Sequence, residues 1–226
     1  MFIGHFGVGF GAKPLAPKVS LGTLFLGAQF IDLLWPSFLL LGIERVRIVP
    51  GATAVTPLSF DHYPYSHSLV AVCGWAMLMG LGHFALRRDR IGAMVLALLV
   101  LSHWGLDALV HRPDLPLYPG SAALIGLDAW SSPPLTLAIE LPLFTLGVWL
   151  YARATAPADA AGRWGLIALV VFLLFIYAGN LLGPPPPSAE AIAWVGQAQW
   201  LLVLWGYWVD KHRLASVGAR RRATQV

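Results

Sequence analysis

The sequence predicts an all-α, polytopic transmembrane bundle of about six spans with a short N-terminal half-helix. Of 226 residues, 58% are hydrophobic and 12% charged, about half the charge of a soluble domain, and the mean hydropathy is +0.69. The apolar residues fall in runs of roughly 17 to 23, enough for a helix to cross about 30 Å of hydrocarbon. A porin-type barrel would instead alternate over about ten residues per strand.

The half-helix is Phe2 to Ala12, which at 1.5 Å per residue crosses about half a bilayer. Its glycines Gly4, Gly7, Gly9 and Gly11 suit close packing against another helix. They do not make a nucleotide loop, because no strand precedes them and no βαβ unit surrounds them. The six spans are Val19 to Leu41, Ser66 to Leu86, Ile91 to Val110, Leu135 to Tyr151, Trp164 to Leu182 and Ala191 to Val209. The membrane domain thus covers residues 1–210, and residues 211–226 form a basic, disordered cytoplasmic tail. No internal repeat is visible, which disfavours an inverted-repeat transporter.

Charge sets the expected orientation. With both termini inside, Lys13, Lys18, Arg87, Arg88, Arg90, Arg153, Arg163, Lys211, Arg213, Arg220, Arg221 and Arg222 are cytoplasmic. Only Arg45, Arg47 and Arg112 of the 15 basic residues lie outside, as the positive-inside rule asks of a bacterial-type inner-membrane protein. The same rule accounts for the net charge of +4, so no nucleic-acid partner is expected. Tyr151, Trp164, Tyr207 and Trp208 fall where an inner aromatic belt would lie. Cys73 is the only cysteine, which excludes an intrachain disulfide and a cysteine metal site, and it reads as a small core residue. The start lacks the basic n-region and cleavage site of a signal peptide, so the first residues are expected to stay in the mature protein.

Function is read from ionisable residues at bilayer depth, each of which costs at least about 2.5 kcal/mol unless paired or hydrated. Asp32 lies in the first span, His103 and Asp107 in the third and Glu140 in the fourth. The third span runs Ser102-His103-Trp104-Gly105-Leu106-Asp107-Ala108-Leu109-Val110-His111, which places residues 103, 107 and 111 on one helix face. An imidazole and a carboxylate one turn apart can share a metal ion, or can form a buried hydrogen-bonded pair. His111 suits a second metal, a substrate phosphate or a helix cap. At the outer end of the second span stands Asp61-His62-Tyr63-Pro64-Tyr65-Ser66-His67-Ser68. Here His67 points into the bundle, Ser66 and Ser68 read as N-caps, and Asp61 and His62 are loop groups, solvated or functional. Ser66 lacks the glycine elbow and oriented base of a nucleophile. His5, on the half-helix, can meet Asp32 or stand as a satisfied core residue. His83 and His212, beside basic runs, are read as structural or solvated.

Gly4-His5, Gln29-Phe30-Ile31-Asp32-Leu33-Leu34-Trp35-Pro36, His62-Tyr63-Pro64-Tyr65-Ser66-His67-Ser68 and Leu101-Ser102-His103-Trp104-Gly105-Leu106-Asp107, followed by Pro116-Leu117-Tyr118-Pro119, together resemble the inner-membrane-associated metal-dependent hydrolases. That family carries an N-terminal Gly-His, a Leu-Pro-Asp-x-Asp motif, a His-Arg-x-x-Thr-His-Ser motif and a Ser-His-x-x-x-Asp motif. The resemblance covers residues 4–119 in order and extends distantly to the helical zinc-dependent phospholipases C. Here the double-Asp motif is reduced to Asp32, and Tyr63-Pro64 replaces the basic residue after the first histidine, so one ion instead of two is conceivable.

The resemblance and the residues together imply a hydrolase that holds Zn²⁺ or another divalent transition metal, one or two ions, on His67, His103 and Asp107. Asp32, His5, His111 and His62 complete a first or second site. A bound ion would bring the pKa of its water towards about 7, with Glu140 or Asp61 as base. The expected substrate is a lipid or other membrane-associated ester or phosphoester, and membrane lipids are the expected surroundings. The competing readings are a metal or proton transporter using the same His and Asp residues, and an assembly protein needing no metal. The inner halves of the first three spans are nearly free of ionisable groups, which a transport path would require.

Overall fold

The computed structural model describes residues 1–216 and is mostly helical. Its helices in chain order are α1 (Ile3–Gly11), α2 (Leu21–Ala28), α3 (Phe30–Leu40), α4 (Pro64–His67), α5 (Leu69–Arg87), α6 (Arg90–Val110), α7 (Pro133–Ala154), α8 (Ala160–Leu182), α9 (Ala189–Gln197) and α10 (Gln199–Lys211). Four of them, α5 to α8, are long and apolar enough to cross a membrane, and the bent pair α2 and α3 makes a fifth candidate. Their outward faces carry large apolar side chains such as Met77, Leu81, Phe175 and Leu182, which water would penalise and acyl chains accept.

Two of the expected spans are broken. The first is cut at Gln29 and bends by 58° between α2 and α3. The last is interrupted at Ala198, between Gln197 and Gln199, two polar residues at the middle of that run. The chain is also not purely α. β1 (Arg45–Ile48) and β2 (Leu58–His62) form an antiparallel hairpin, β3 (Leu115–Pro116) pairs with β4 (Leu124–Ile125), and β5 (Thr155–Pro157) pairs with β6 (Arg213–Ala215). β1 to β4 occupy the two long loops, β5 the α7–α8 connection and β6 the segment after α10, where backbone outside a helix must find other hydrogen-bond partners.

The β5–β6 pair corrects the expectation of a disordered tail for residues 213–215; the rest of that expectation, from residue 217 on, lies outside the described residues. Arg213 donates to Thr155 and to the Gly162 carbonyl, and His212 Nδ1 lies 2.7 Å from Asp159 Oδ2. That bond and the Gly162 N–H hold the Asp159 carboxyl below its usual range. Nearby, Lys13 is buried and its Nζ donates to Asp210 at 2.8 Å. Tyr151, expected in an aromatic belt, is fully buried and donates to the other Asp210 oxygen at 2.9 Å. Cys73, expected in the core, is exposed on α5.

Helix α1 is buried along most of its surface, with only Val8 and Gly11 half-exposed. Ile3, Phe6 and Phe10 are fully buried, with Phe6 and Phe10 meeting the Phe25 ring edge-on at 5.0 and 4.8 Å. The other face of α1 lies so close to α7 that a Cβ on Gly147 would fall on the Gly7 carbonyl. This approach explains the glycine spacing of α1 as helix contact. Gly147→Val should therefore lower unfolding stability in detergent by about 1–3 kcal/mol. Gly105→Ala, where an added Cβ meets nothing within 4 Å, should leave the melting temperature nearly unchanged. Equal melting temperatures for the two variants would contradict this account of α1.

Candidate metal centre

The most buried of the four long candidate spans is α6, and it brings His103 and Asp107 into the middle of the molecule, both buried. His103 Nε2 lies 3.1 Å from Asp107 Oδ2, as the one-turn spacing allows. Asp32, in the first turn of α3, adds Oδ1 at 3.6 Å from His103 Nε2. The last residue of α4, His67, adds Nε2 at 3.7 Å from Asp32 Oδ1 and 3.8 Å from Asp107 Oδ2. Two nitrogens and two oxygens thus face one another along these four edges, a cage in which Asp32, His67 and His103 form one trio able to share an ion. Ligand atoms at 2.0–2.1 Å around a tetrahedral zinc lie about 3.3 Å apart, which the observed separations bracket.

Both imidazoles are oriented from behind. His103 Nδ1 donates to the Ala28 carbonyl at 2.9 Å, an oxygen made available where the helix breaks at Gln29. His67 Nδ1 donates to Ser66 Oγ at 2.7 Å, and Ser66 in turn donates to Glu44 Oε2 at 2.6 Å. Each ring therefore carries a proton on Nδ1 and turns its Nε2 into the cage. His103 Nε2 is buried with no hydrogen-bond partner, an expensive state that a cation would relieve. Histidines fixed through Nδ1 by a carbonyl or carboxylate relay are the usual support of metal ligands.

His5 forms a second layer. Its ring stacks on His103 with centroids 3.7 Å apart and 4° between planes, and its Nε2 is 3.1 Å from Asp107 Oδ1. Asp107 therefore turns one oxygen to the cage and the other to His5 and to the Met1 ammonium, which is 2.6 Å away. His5, His103 and Asp107 are a second trio able to share an ion. His5 was expected to meet Asp32; it meets Asp107 because α1 packs on α7 as well as α2. Glu140 Oε2 accepts from the N–H groups of Phe2 and Gly4 at 3.0 and 3.1 Å, a carboxylate at the N-terminus of α1. One of its oxygens thus holds the helix that carries His5.

Three expected site residues lie elsewhere. Asp61 sits on β2, ion-paired to Arg47 and bonded by Ser59, and the Arg47 contact keeps its carboxyl below the usual range. His62, next to it, is exposed and packs edge-on against Tyr65. Both are drawn from the cage because the β1–β2 hairpin turns them to the surface. His111 caps α6 and is buried, with Nδ1 2.9 Å from Asp114 Oδ1. Tyr63 donates to the same Asp114 oxygen at 2.7 Å, and burial beside Asp114 holds the Tyr63 phenol well above its ordinary pKa. Ser68 caps α5 as expected, whereas Ser66 serves the His67 relay.

Sequence reasoning missed Glu44. It is buried, accepts from the backbone N–H groups of Tyr65 and Ser66 at 2.8 Å each, and closes the relay to His67. The only available signal was an acidic residue in the loop before a cluster of histidines. A cavity of about 570 Å³ reaches the cage, lined at its inner end by Asp32, His67, Asp107 and Glu140 and also by His111 and Trp130. Its rim is formed by the loop between β1 and β2, the Pro184–Pro187 turn and α9.

Glu44→Gln and Ser66→Ala should each weaken metal affinity by about 10- to 100-fold, the usual cost of losing a group behind a ligand, without abolishing binding. Competition titration with a chromophoric chelator measures it. Unchanged affinity in both variants would detach the relay from the centre. Searched against models of known protein families, curated proteins and solved structures, the chain matches none.

Proposed function

We propose that this chain is a metal-dependent hydrolase embedded in a bacterial-type inner membrane, acting on a lipid or other membrane-associated ester. The observation that carries the reading is the cage of His67 Nε2, His103 Nε2, Asp32 Oδ1 and Asp107 Oδ2, with both rings fixed through Nδ1 and one Nε2 buried without a partner. Zn²⁺ or a similar divalent ion fits a donor set of two imidazoles and two carboxylates. A bound ion of this kind polarises a carbonyl or phosphoryl oxygen and acidifies water.

The chain's own groups supply the rest. Glu140 lines the cavity and has Oε1 free of the α1 contacts, where it can take the proton of the attacking water. Hydrolysis then adds that water across the ester bond and releases an alcohol and an acid. The cavity has its rim beside α9 and the Pro184–Pro187 turn. Towards the Lys13–Asp210 end, Phe10, Phe25 and Tyr151 pack without a polar track. That asymmetry favours a dead-ended reaction site over a permeation path. The resemblance of residues 4–119 to inner-membrane metal-dependent hydrolases supports the same assignment.

For the membrane topology we propose six crossings, with α2–α3 and α9–α10 each counted as one, and both termini cytoplasmic. The distribution of basic residues supports this orientation. Reporter fusions after Arg88 should read cytoplasmic and fusions near Pro119 should read the outer side; the reverse pattern would invert the arrangement.

Purified protein should retain about one or two equivalents of transition metal, and His103→Ala or Asp107→Ala should remove at least one. Elemental analysis decides. Full metal occupancy in both variants, with unchanged thermal stability, would overturn the assignment. Glu140→Gln should slow turnover by about 10²-fold or more if its carboxylate is the base, with bound metal nearly unchanged.

A further inference from the structure

The cavity leading to the cage is acidic, and among the described residues its only basic side chains are the imidazoles of His67 and His111. Asp32, Asp107 and Glu140 line it, but no lysine or arginine does. The Met1 ammonium at its inner end is already held by Asp107. Protein sites that take phosphate surround it with Arg, Lys or a row of N–H donors, because the anion must regain the hydration it loses. Here an anionic headgroup would meet three carboxylates and only the charge of whatever ion the cage holds.

The remaining lining is aromatic and neutral-polar. The Trp130 and Phe60 rings lie near-parallel, 20° between planes and 6.2 Å between centroids, and both face the cavity beside His111. The His111 ring is 4.3 Å from that of Trp130. Since the Asp114 carboxylate accepts from Nδ1, Nε2 is left as an acceptor with no protein partner among the described residues. Tyr177 and Gln199 also line the cavity, and their Oη and Oε1 are buried without hydrogen-bond partners, so a small turn of either side chain would offer them to a hydroxyl. Flat apolar surface flanked by uncharged hydrogen-bonding groups that lack partners is the complement of hydroxyl groups on an uncharged carbon skeleton.

Building on the hydrolase reading, we infer that this cavity takes an ester lipid with an uncharged, hydroxyl-bearing headgroup, and disfavours one whose headgroup ends in a phosphate. The skeleton lies on Trp130 and Phe60, and the hydroxyls meet His111 Nε2, Tyr177 Oη and Gln199 Oε1. Glycerol and sugar headgroups share this chemistry, and the probes below separate them.

Binding can be read without turnover. The full chain in phosphatidylcholine nanodiscs, stripped of metal with chelator and separately reloaded with Zn²⁺, is titrated with 1-oleoylglycerol, an oleoyl glucoside and 1-oleoylglycerol 3-phosphate. At least one uncharged probe should bind about tenfold or more tightly than the phosphate in both forms. Trp130→Leu and Gln199→Leu should each weaken that probe about fivefold or more and leave the phosphate unchanged. A preference for 1-oleoylglycerol assigns a glycerol headgroup, and a preference for the glucoside a sugar. Ala54→Arg, at an exposed rim position, should narrow the gap by strengthening phosphate binding, which guards against misfolding of the other variants. Phosphate binding equal to or tighter than both uncharged probes overturns the inference, even if the protein proves to be a metal-dependent phosphoesterase. Selective binding of an uncharged probe without hydrolysis sustains it while sinking the hydrolase reading.

Discussion

Three buried carboxylates, the half-buried Asp32 and four buried imidazoles gather around the C-terminal half of α6, and the arrangement of the neighbouring helices follows from the need to satisfy them. A lone ionisable group in such surroundings is expensive, and removing one member of a buried set strands the others. Asp107 shows how dense the solution is: one oxygen faces His103 and His67, the other His5 and the Met1 ammonium. Glu140 and Glu44 do not join the cage. They hold the backbone of α1 and α4, the two short elements that deliver His5 and His67.

The irregularities of the bundle gather at the same place. The break at Gln29 exposes the Ala28 carbonyl for His103 and starts α3 at the level of Asp32. The single turn of α4, ended by Ser68 as the cap of α5, sets His67 at the mouth of α5, the first long helix, instead of along its side. Short or broken helices inside a membrane protein leave backbone groups unpaired, and they persist where a site uses those groups. The opposite end of the molecule is closed by a different device: Lys13 and Tyr151 each donate to Asp210, and β6 ties the end of α10 to the α7–α8 connection.

The cavity divides its chemistry by depth. Its inner end is ionic and belongs to the cage, its middle is aromatic around Trp130 and Phe60, and its rim is built of loop and proline turn. The His111–Asp114–Tyr63 network ties the loop after α6 to the start of α4.

The sequence by itself determined that the chain forms long apolar helices able to span a membrane, where most of them lie, and which ionisable residues gather around α6. Long apolar runs have one low-energy solution in lipid, and the spacing of His103 and Asp107 places both on one face whatever the packing. It also singled out His5, Asp32, His67 and Glu140, because an ionisable residue in an apolar run is conspicuous without any structure. Only the tertiary structure decided the rest. Periodicity does not reveal a one-residue break such as Gln29, a carbonyl partner such as Ala28, or a helper 22 residues away such as Glu44. Nor does it reveal which polar loop residues turn inward, and so Asp61 and His62 went to the surface while Ser66 went to the relay. These outcomes depend on long-range approach of backbone and side chain, which is fixed by the packing of the helices and not by the pattern along any one of them.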